Sequence, residues 1–378
     1  MIGREHEDTN IVKIASVESI HLRIPLAGEG RLEIGSWGGK GLPTVDSLIV
    51  KVVTDTGVVG WGETFGFAGV PAARAAIDSI LAPALVGRDV ALREKLMLDL
   101  QKQFHIFGRS GAVIFGLSAI DIALWDIAGK VANQSVHALL GGTEATSLRC
   151  YASLIRYSDP VLVKEHVERA LKNGFRHLKL HEVNIDCIRA AREAAGDDVE
   201  ITVDVNCAWS VREGLDMTNK LREFNLRWLE EPVWPPENYS GLAQVRRKGG
   251  IPIAAGENAS TLMDFQHLLE AKAVDFIQPS PAKMGGITEL KKVFAMANAN
   301  NVEVAVHSFY DGPGLLASVH ASAALGGAGA LIEWRCLDLE ARLYGDAIAP
   351  RNGAIAVPQG PGLGLEPNPD VIREYRVT

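Results

Sequence analysis

Cysteine is scarce in this chain. There are four in 378 residues, Cys150, Cys187, Cys207 and Cys336, and no Cys-x-x-Cys. That excludes a disulfide scaffold and a zinc ribbon, and it implies reduced thiols in a cytoplasmic protein. Long apolar runs are missing too. No stretch reaches the roughly 18 uncharged apolar residues of a membrane span, and the best candidate, 111–132, is interrupted by Asp121, Asp126 and Lys130. The opening MIGREHEDTN has no apolar segment, so no secretory signal is expected. Basic excess is lacking: 38 Lys and Arg stand against 46 Asp and Glu, a net charge of −8. A nucleic-acid partner or a membrane surface is therefore not expected.

What remains is globular. Apolar residues are 47% and charged residues 22%, which excludes disorder, a fibre and a coiled coil. At about 150 residues per domain the length suggests two or three domains, or one large barrel with an accessory domain. Thirty-eight glycines and 17 prolines supply the turns that many short connections need.

Residues 11–65 alternate apolar and polar positions, with a turn at Asp55–Thr56–Gly57, and predict a β-meander. Within them, 27–43 is glycine-rich and reads as a loop, either a surface connection or a lid. Residues 71–140 carry apolar positions at i, i+3, i+4 and i+7 and predict helices. From about 147 the pattern changes. Short β-rich runs at 147–153, 177–182, 200–206, 226–231, 251–257, 274–280, 302–308 and 331–334 alternate with amphipathic stretches. Eight strands with helices between them predict a closed parallel barrel in an α/β chain. An open doubly wound sheet is the alternative, but no GxGxxG follows an early strand. The expected domains are an α+β cap (1–146), the barrel (147–350) and a C-terminal segment returning to the cap (351–378).

Active sites of such barrels lie at the C-terminal strand ends. Those ends carry Lys179 and His181, Asp204 and Asn206, Glu230 and Glu231, Glu257, Ser280, His307 and Glu333. A single strand-end carboxylate is ordinarily a helix cap. Carboxylates ending three consecutive strands would repel one another unless a cation lay between them. All-oxygen ligation suits a hard divalent ion, and Mg²⁺ fits an octahedron completed by water and substrate. Asp204, Glu230 and Glu257 are the candidate ligands. Strand alternation turns Glu231 to the other face, as a supporting or ion-paired group. Lys179 and His181, two apart, point the same way. His307 is a second candidate acid or base. Glu333, if protonated, would hydrogen-bond a carboxylate oxygen, or it is structural. This set suits removal of a proton next to a carboxylate, with a cation and Lys179 stabilising the enediolate.

The strings GVVGWGE, SAIDIALWDIAGK, VDVN, WLEEP, AAGEN, KMGGITE and VAVHS together resemble the enolase superfamily, in its mandelate racemase-like branch. The resemblance implies a (β/α)₇β barrel under a cap built from both chain ends, one Mg²⁺ and a homo-oligomer. It assigns Asp204, Glu230 and Glu257 to the metal, Lys179 to the substrate carboxylate and His181 to the base position. It implies that loops 27–43 and 63–70 close over a small carboxylate substrate. Trp37 and Phe67 in those loops, with Asn206 and Ser280 at the strand ends, are candidate substrate contacts. The chain departs from the pattern at Ser280, where an aspartate normally backs the seventh-strand histidine. A serine orients His307 by one hydrogen bond and lends no charge. Lys283, just beyond, is a further candidate. The asymmetric acid/base set suits dehydration of a sugar acid or other hydroxy acid to a 2-keto acid. A racemase, epimerase or lactone cycloisomerase is the alternative. A non-catalytic binding protein is the remote one, and the intact acidic trio speaks against it.

Overall fold

The computed structural model describes residues 12–27, 43–143 and 145–378. Trp37 and most of loop 27–43 lie outside the described residues. The chain begins with an antiparallel meander of β1 (Ile14–Pro25), β2 (Thr44–Thr54) and β3 (Val59–Thr64). The turn between β2 and β3 uses Gly57 at φ 83°, and Thr54 and Val58 close it through backbone and hydroxyl hydrogen bonds.

A 21-residue helix, Ala112–Ala132, lies across this sheet. Glycines at 60 and 62 allow the approach. A Cβ on Gly62 would stand 1.8 Å from the carbonyl oxygen of Ala119. The helix is apolar on nearly every side because it is covered by the meander and by the barrel. Its two acidic residues join the parts. Asp121 accepts from the backbone N–H and hydroxyl of Thr288 in the barrel, at 2.9 and 2.6 Å. Asp126 accepts from the N–H of Trp61 and of Leu363, and pairs with Lys130 at 2.9 Å.

Eight parallel strands follow: β4 (Ser147–Ser153), β5 (His177–Leu180), β6 (Glu200–Asp204), β7 (Leu229–Glu230), β8 (Ile253–Ala255), β9 (Phe276–Ile277), β10 (Glu303–Val304) and β11 (Leu331–Arg335). They pair in chain order from β4 to β10, and β11 pairs back onto β4. The seam between β10 and β11 is held by Ser308, whose N–H and hydroxyl donate to the carboxylate and carbonyl of Glu333, at 3.0 and 2.8 Å. With a helix after each of the first seven strands, this is a (β/α)₇β barrel. Short polar caps start several of these helices, including capping boxes at Ser210–Glu213 and Thr261–Asp264.

Most barrel strands are shorter than the sequence pattern suggests. Several ladders stop at or before the strand-end polar residues because the chain turns out there: Asn206, Cys207, Glu231 and Gly256 all have positive φ. The tail adds β12 (Ala354–Ala356) antiparallel to β4. It then returns to the cap, where Trp61 Nε1 donates to Glu366 at 2.8 Å and the Val377 N–H donates to His21 O at 2.8 Å.

Cap and barrel also meet at Glu63, the penultimate residue of β3. Its carboxylate accepts from the N–H groups of Gly312 and Gly314, at 3.1 and 2.8 Å, where a barrel helix begins. Burial raises Glu63 to about 7, against the pull of those amides and of Arg335. The folded state therefore holds a proton that the unfolded chain releases near the ordinary value of 4.5. This group's contribution is fully present below 4.5 and is lost as pH rises through 7. The Glu63→Gln variant should flatten the slope of unfolding free energy against pH in that window, by up to about 1.4 kcal/mol per pH unit. Urea titrations at several pH values read it, and parallel curves for both proteins would contradict it.

Candidate active site

Asp204 ends β6 and Glu230 ends β7, and the two sit side by side in the parallel ladder. Glu257 follows β8 across Gly256, whose φ of 139° turns the chain inward. One carboxylate oxygen from each of the three lies within 4.8 Å of the others. Asp204 and Glu230 are fully buried. Burial drives Glu230 well above the carboxylate range, opposed by Lys179 and reinforced by Asp204, Glu333 and Glu257. Burial also opposes ionisation of Glu257, but His307 and Lys283 hold it well below that range. Asp204 Oδ2 is buried and is met by the Lys179 ammonium at 3.0 Å. Converging carboxylate oxygens of this kind, from three successive strands, fit a hard divalent cation.

Lys179 is the buried counter-charge. Its Nζ stands 2.6 Å from Glu230, 3.0 Å from Asp204 and 3.4 Å from Glu333. Burial alone would lower its pKa, yet the three carboxylates raise it well above the usual lysine value. Glu333 also accepts from Ser153 Oγ at 2.8 Å and from the Ser308 N–H. Against its burial, Lys179 and these donors keep it below the ordinary range, so its surroundings favour the carboxylate rather than the protonated form.

His181 lies one residue beyond β5. Its Nδ1 is 2.6 Å from the carbonyl oxygen of Leu154. A carbonyl only accepts, so Nδ1 carries the hydrogen and Nε2 keeps a lone pair. Nε2 faces Asp204 at 3.5 Å. Burial lowers the His181 pKa, with Asp204 opposing and Lys179 adding, which favours the neutral imidazole. His307 comes from the opposite side. Its Nε2 is 2.9 Å from Glu257, and its Nδ1 is 3.2 Å from Ser280 Oγ. Ser280 is bonded in turn to the buried hydroxyl of Tyr310. Burial lifts the Tyr310 pKa far up, so this hydroxyl keeps its proton.

Lys283 does reach this region, with Nζ 3.9 Å from Glu257 and 4.5 Å from the centre of the Phe65 ring. Asn206 and Phe67 line the same cavity as His181, Glu257 and His307. Glu231 departs from the alternation argument. At φ 44° it is no longer strand, and its carboxylate accepts from Asn258 Nδ2 at 2.8 Å beside the acidic trio. Burial and the charge of Glu257 raise it to about 8. Sequence reasoning missed Arg156, Phe65, Phe309 and Tyr310. None has a motif of its own, and each matters through contacts distant in the chain.

The comparisons fit this geometry. Residues 42–141 match the mandelate racemase/muconate lactonizing enzyme N-terminal domain. Residues 162–371 match the enolase C-terminal domain-like model, which alone spans more than half the chain. The chain belongs to the mandelate racemase/muconate lactonizing enzyme family. It is thus an enolase-superfamily enzyme of a group holding both lyases and isomerases. Among its relatives, an arabinonate dehydratase of Saccharolobus solfataricus is 32% identical over 342 residues, covering 88% of this chain and 91% of that one. A D-galactarolactone cycloisomerase of Agrobacterium fabrum is 32% identical over 352 residues, covering 87% and 91%. The solved structure of a racemase from Streptomyces coelicolor with bound magnesium superposes with a TM-score of 0.85 at 29% identity, covering 96% of this chain and all of that one.

The Lys179→Met variant should cost about 3–5 kcal/mol of stability without metal, because it strands buried carboxylates. Saturating Mg²⁺ should restore part of that loss. Urea unfolding with Mg²⁺ and with chelator measures both, and an unchanged midpoint would count against the charge balance described.

Proposed function

We propose that the protein removes the α-proton of a hydroxy acid and expels its β-hydroxyl, giving a 2-keto acid. The observation that carries this is the orientation of His181, whose Nδ1 is pinned to Leu154 and whose Nε2 lone pair faces the carboxylate cluster. In the forward step the Cα–H bond breaks and the proton goes to His181 Nε2. The electron pair enters the substrate carboxylate, to which Lys179 is placed to contribute charge. Mg²⁺ at Asp204, Glu230 and Glu257 would neutralise the negative charge that develops there. His307, held between Glu257 and Ser280, hands a proton to the departing hydroxyl, which leaves as water. The resulting enol tautomerises to the ketone.

Support comes from the relatives named as dehydratases of arabinonate and of xylonate. Magnesium as the metal is supported by the bound ion in the Streptomyces coelicolor structure. A homo-oligomer in the cytoplasm belongs to the same proposal and rests on the family likeness. Cycloisomerase relatives sustain a second reading, in which His181 takes the α-proton, the ring C–O bond at the adjacent carbon breaks and His307 protonates the released ring oxygen, with no water lost.

A panel of acid sugars and other hydroxy acids, incubated with Mg²⁺ in D₂O, separates the two readings. Keto acid should accumulate with the wild-type enzyme. Deuterated substrate without ketone would select the isomerase. The His181→Asn variant should lose α-proton exchange and product together. The His307→Asn variant should lose product and retain exchange. Exchange at the wild-type rate in His181→Asn would remove His181 from the role of base.

A further inference from the structure

His307 is held at three points. Its backbone N–H donates to Pro279 O at 3.1 Å, its Nε2 meets Glu257 at 2.9 Å and its Nδ1 meets Ser280 Oγ at 3.2 Å. The first contact fixes the main chain. The second lies on the face where the proton is delivered, so the backing of the ring falls to Nδ1. A contact of 3.2 Å is at the long end for a hydrogen bond. A serine side chain also has several staggered positions open to it. Serine by itself is a loose support for a ring that must aim a proton.

Tyr310 removes that freedom. Its hydroxyl is hydrogen-bonded to Ser280 Oγ, and among the described residues the Ser280 side chain bonds only to Tyr310 and His307. Both residues are buried. The Tyr310 ring also meets the imidazole edge-on, with centroids 5.9 Å apart and planes at 88°. That ring is wedged in turn. Phe65 stands edge-on to it, with centroids 6.5 Å apart, and a Cβ on Gly314 would come within 3.2 Å of Tyr310 Cγ. The N–H of Gly314 is held by Glu63, and the N–H of Phe65 donates to Ala282 O, two residues beyond Ser280, at 3.1 Å. Tyrosine, serine loop and helix start are therefore tied together at the junction of cap and barrel. An ionised aspartate only accepts hydrogen bonds, whereas each of these hydroxyls both donates and accepts.

We infer that Tyr310 is a positioning residue for His307: its hydroxyl holds Ser280 Oγ against Nδ1, and the two hydroxyls together do the orienting that an aspartate does in the family pattern. The inference rests on the proposed division of labour between His181 and His307 and adds what aims the second of them. His181 is pinned separately, to Leu154 O, so Tyr310 acts on the His307 step alone.

The test compares wild type and Tyr310→Phe in D₂O, on the hydroxy acid that the wild type turns over fastest with Mg²⁺. Phenylalanine keeps the ring contacts and removes one hydroxyl. Deuterium entering recovered substrate reads the His181 step, and product reads the His307 step. Product formation should fall about 100-fold, the scale on which a misplacement of about 1 Å slows a reaction, with KM and α-proton exchange within about 2-fold of wild type. Adding Ser280→Asp to Tyr310→Phe should recover about tenfold of the loss, because a carboxylate orients an imidazole without help. Product at the wild-type rate in Tyr310→Phe would overturn the inference. Equal loss of exchange and product, or no recovery with Ser280→Asp, would make the role of Tyr310 structural and overturn it as well. A second arm needs no turnover. In crystals of Tyr310→Phe the Ser280 hydroxyl should leave Nδ1 and the His307 ring should tilt. Finding both unmoved would overturn the inference whatever the reaction. Absence of exchange and product in the wild type with every acid would instead overturn the functional reading, and the crystals would then decide the positioning.

Discussion

A lysine ammonium buried among three carboxylates is the constraint on which the rest of this structure depends. Lys179 Nζ is within 3.4 Å of Asp204, Glu230 and Glu333, and all four side chains are shut off from water. One positive charge does not balance so many carboxyl groups at such distances, so burial pushes Glu230 and the neighbouring Glu231 toward their protonated forms, while Glu257 is held ionised by its own cationic neighbours. The arrangement is reasonable only if further cations enter. Lys283 and His307 approach from one side, and a divalent ion bound among the oxygens, as proposed above, would supply the remainder. The same carboxylate of Glu333 that faces Lys179 also bonds Ser153 and Ser308, so the charge cluster and the closure of the barrel share an atom group.

The cap answers to the same site. Near the end of its β3 strand a buried glutamate, Glu63, receives the start of a barrel helix, and its long apolar helix sends one carboxylate to the barrel and another to the tail. These contacts set where Phe65 and Phe67 stand. In the proposed reaction the acid/base groups come from the barrel, whereas the cavity wall above them is shared between cap and barrel.

Much of this was legible in the sequence because it is written in regular spacing. Polar groups at the ends of successive β-rich runs showed the eight-strand order and the acidic trio. The reading weakened wherever backbone conformation departed from the strand. Glu231 was expected on the outer face by alternation, but a positive φ returns it to the cluster. Lys283 follows a proline, and only the turn that brings its N–H to Ser280 O shows its direction. Arg156 and Tyr310 gave no signal, since their partners are remote in the chain or are backbone groups; Glu63 stood within the string GVVGWGE, but its bonds to Gly312 and Gly314 were not readable. Replacing an aspartate by Ser280 was visible, but its pairing with Tyr310 was not.

The central claim is that Asp204, Glu230 and Glu257 form one divalent-cation site in this chain. Calorimetric titration of the metal-free protein with Mg²⁺, without substrate, tests it most directly. The expected result is one ion per chain, with binding lost in the Glu230→Gln variant while the protein stays folded. Absence of binding to the wild-type protein, or equal binding to the variant, would contradict it.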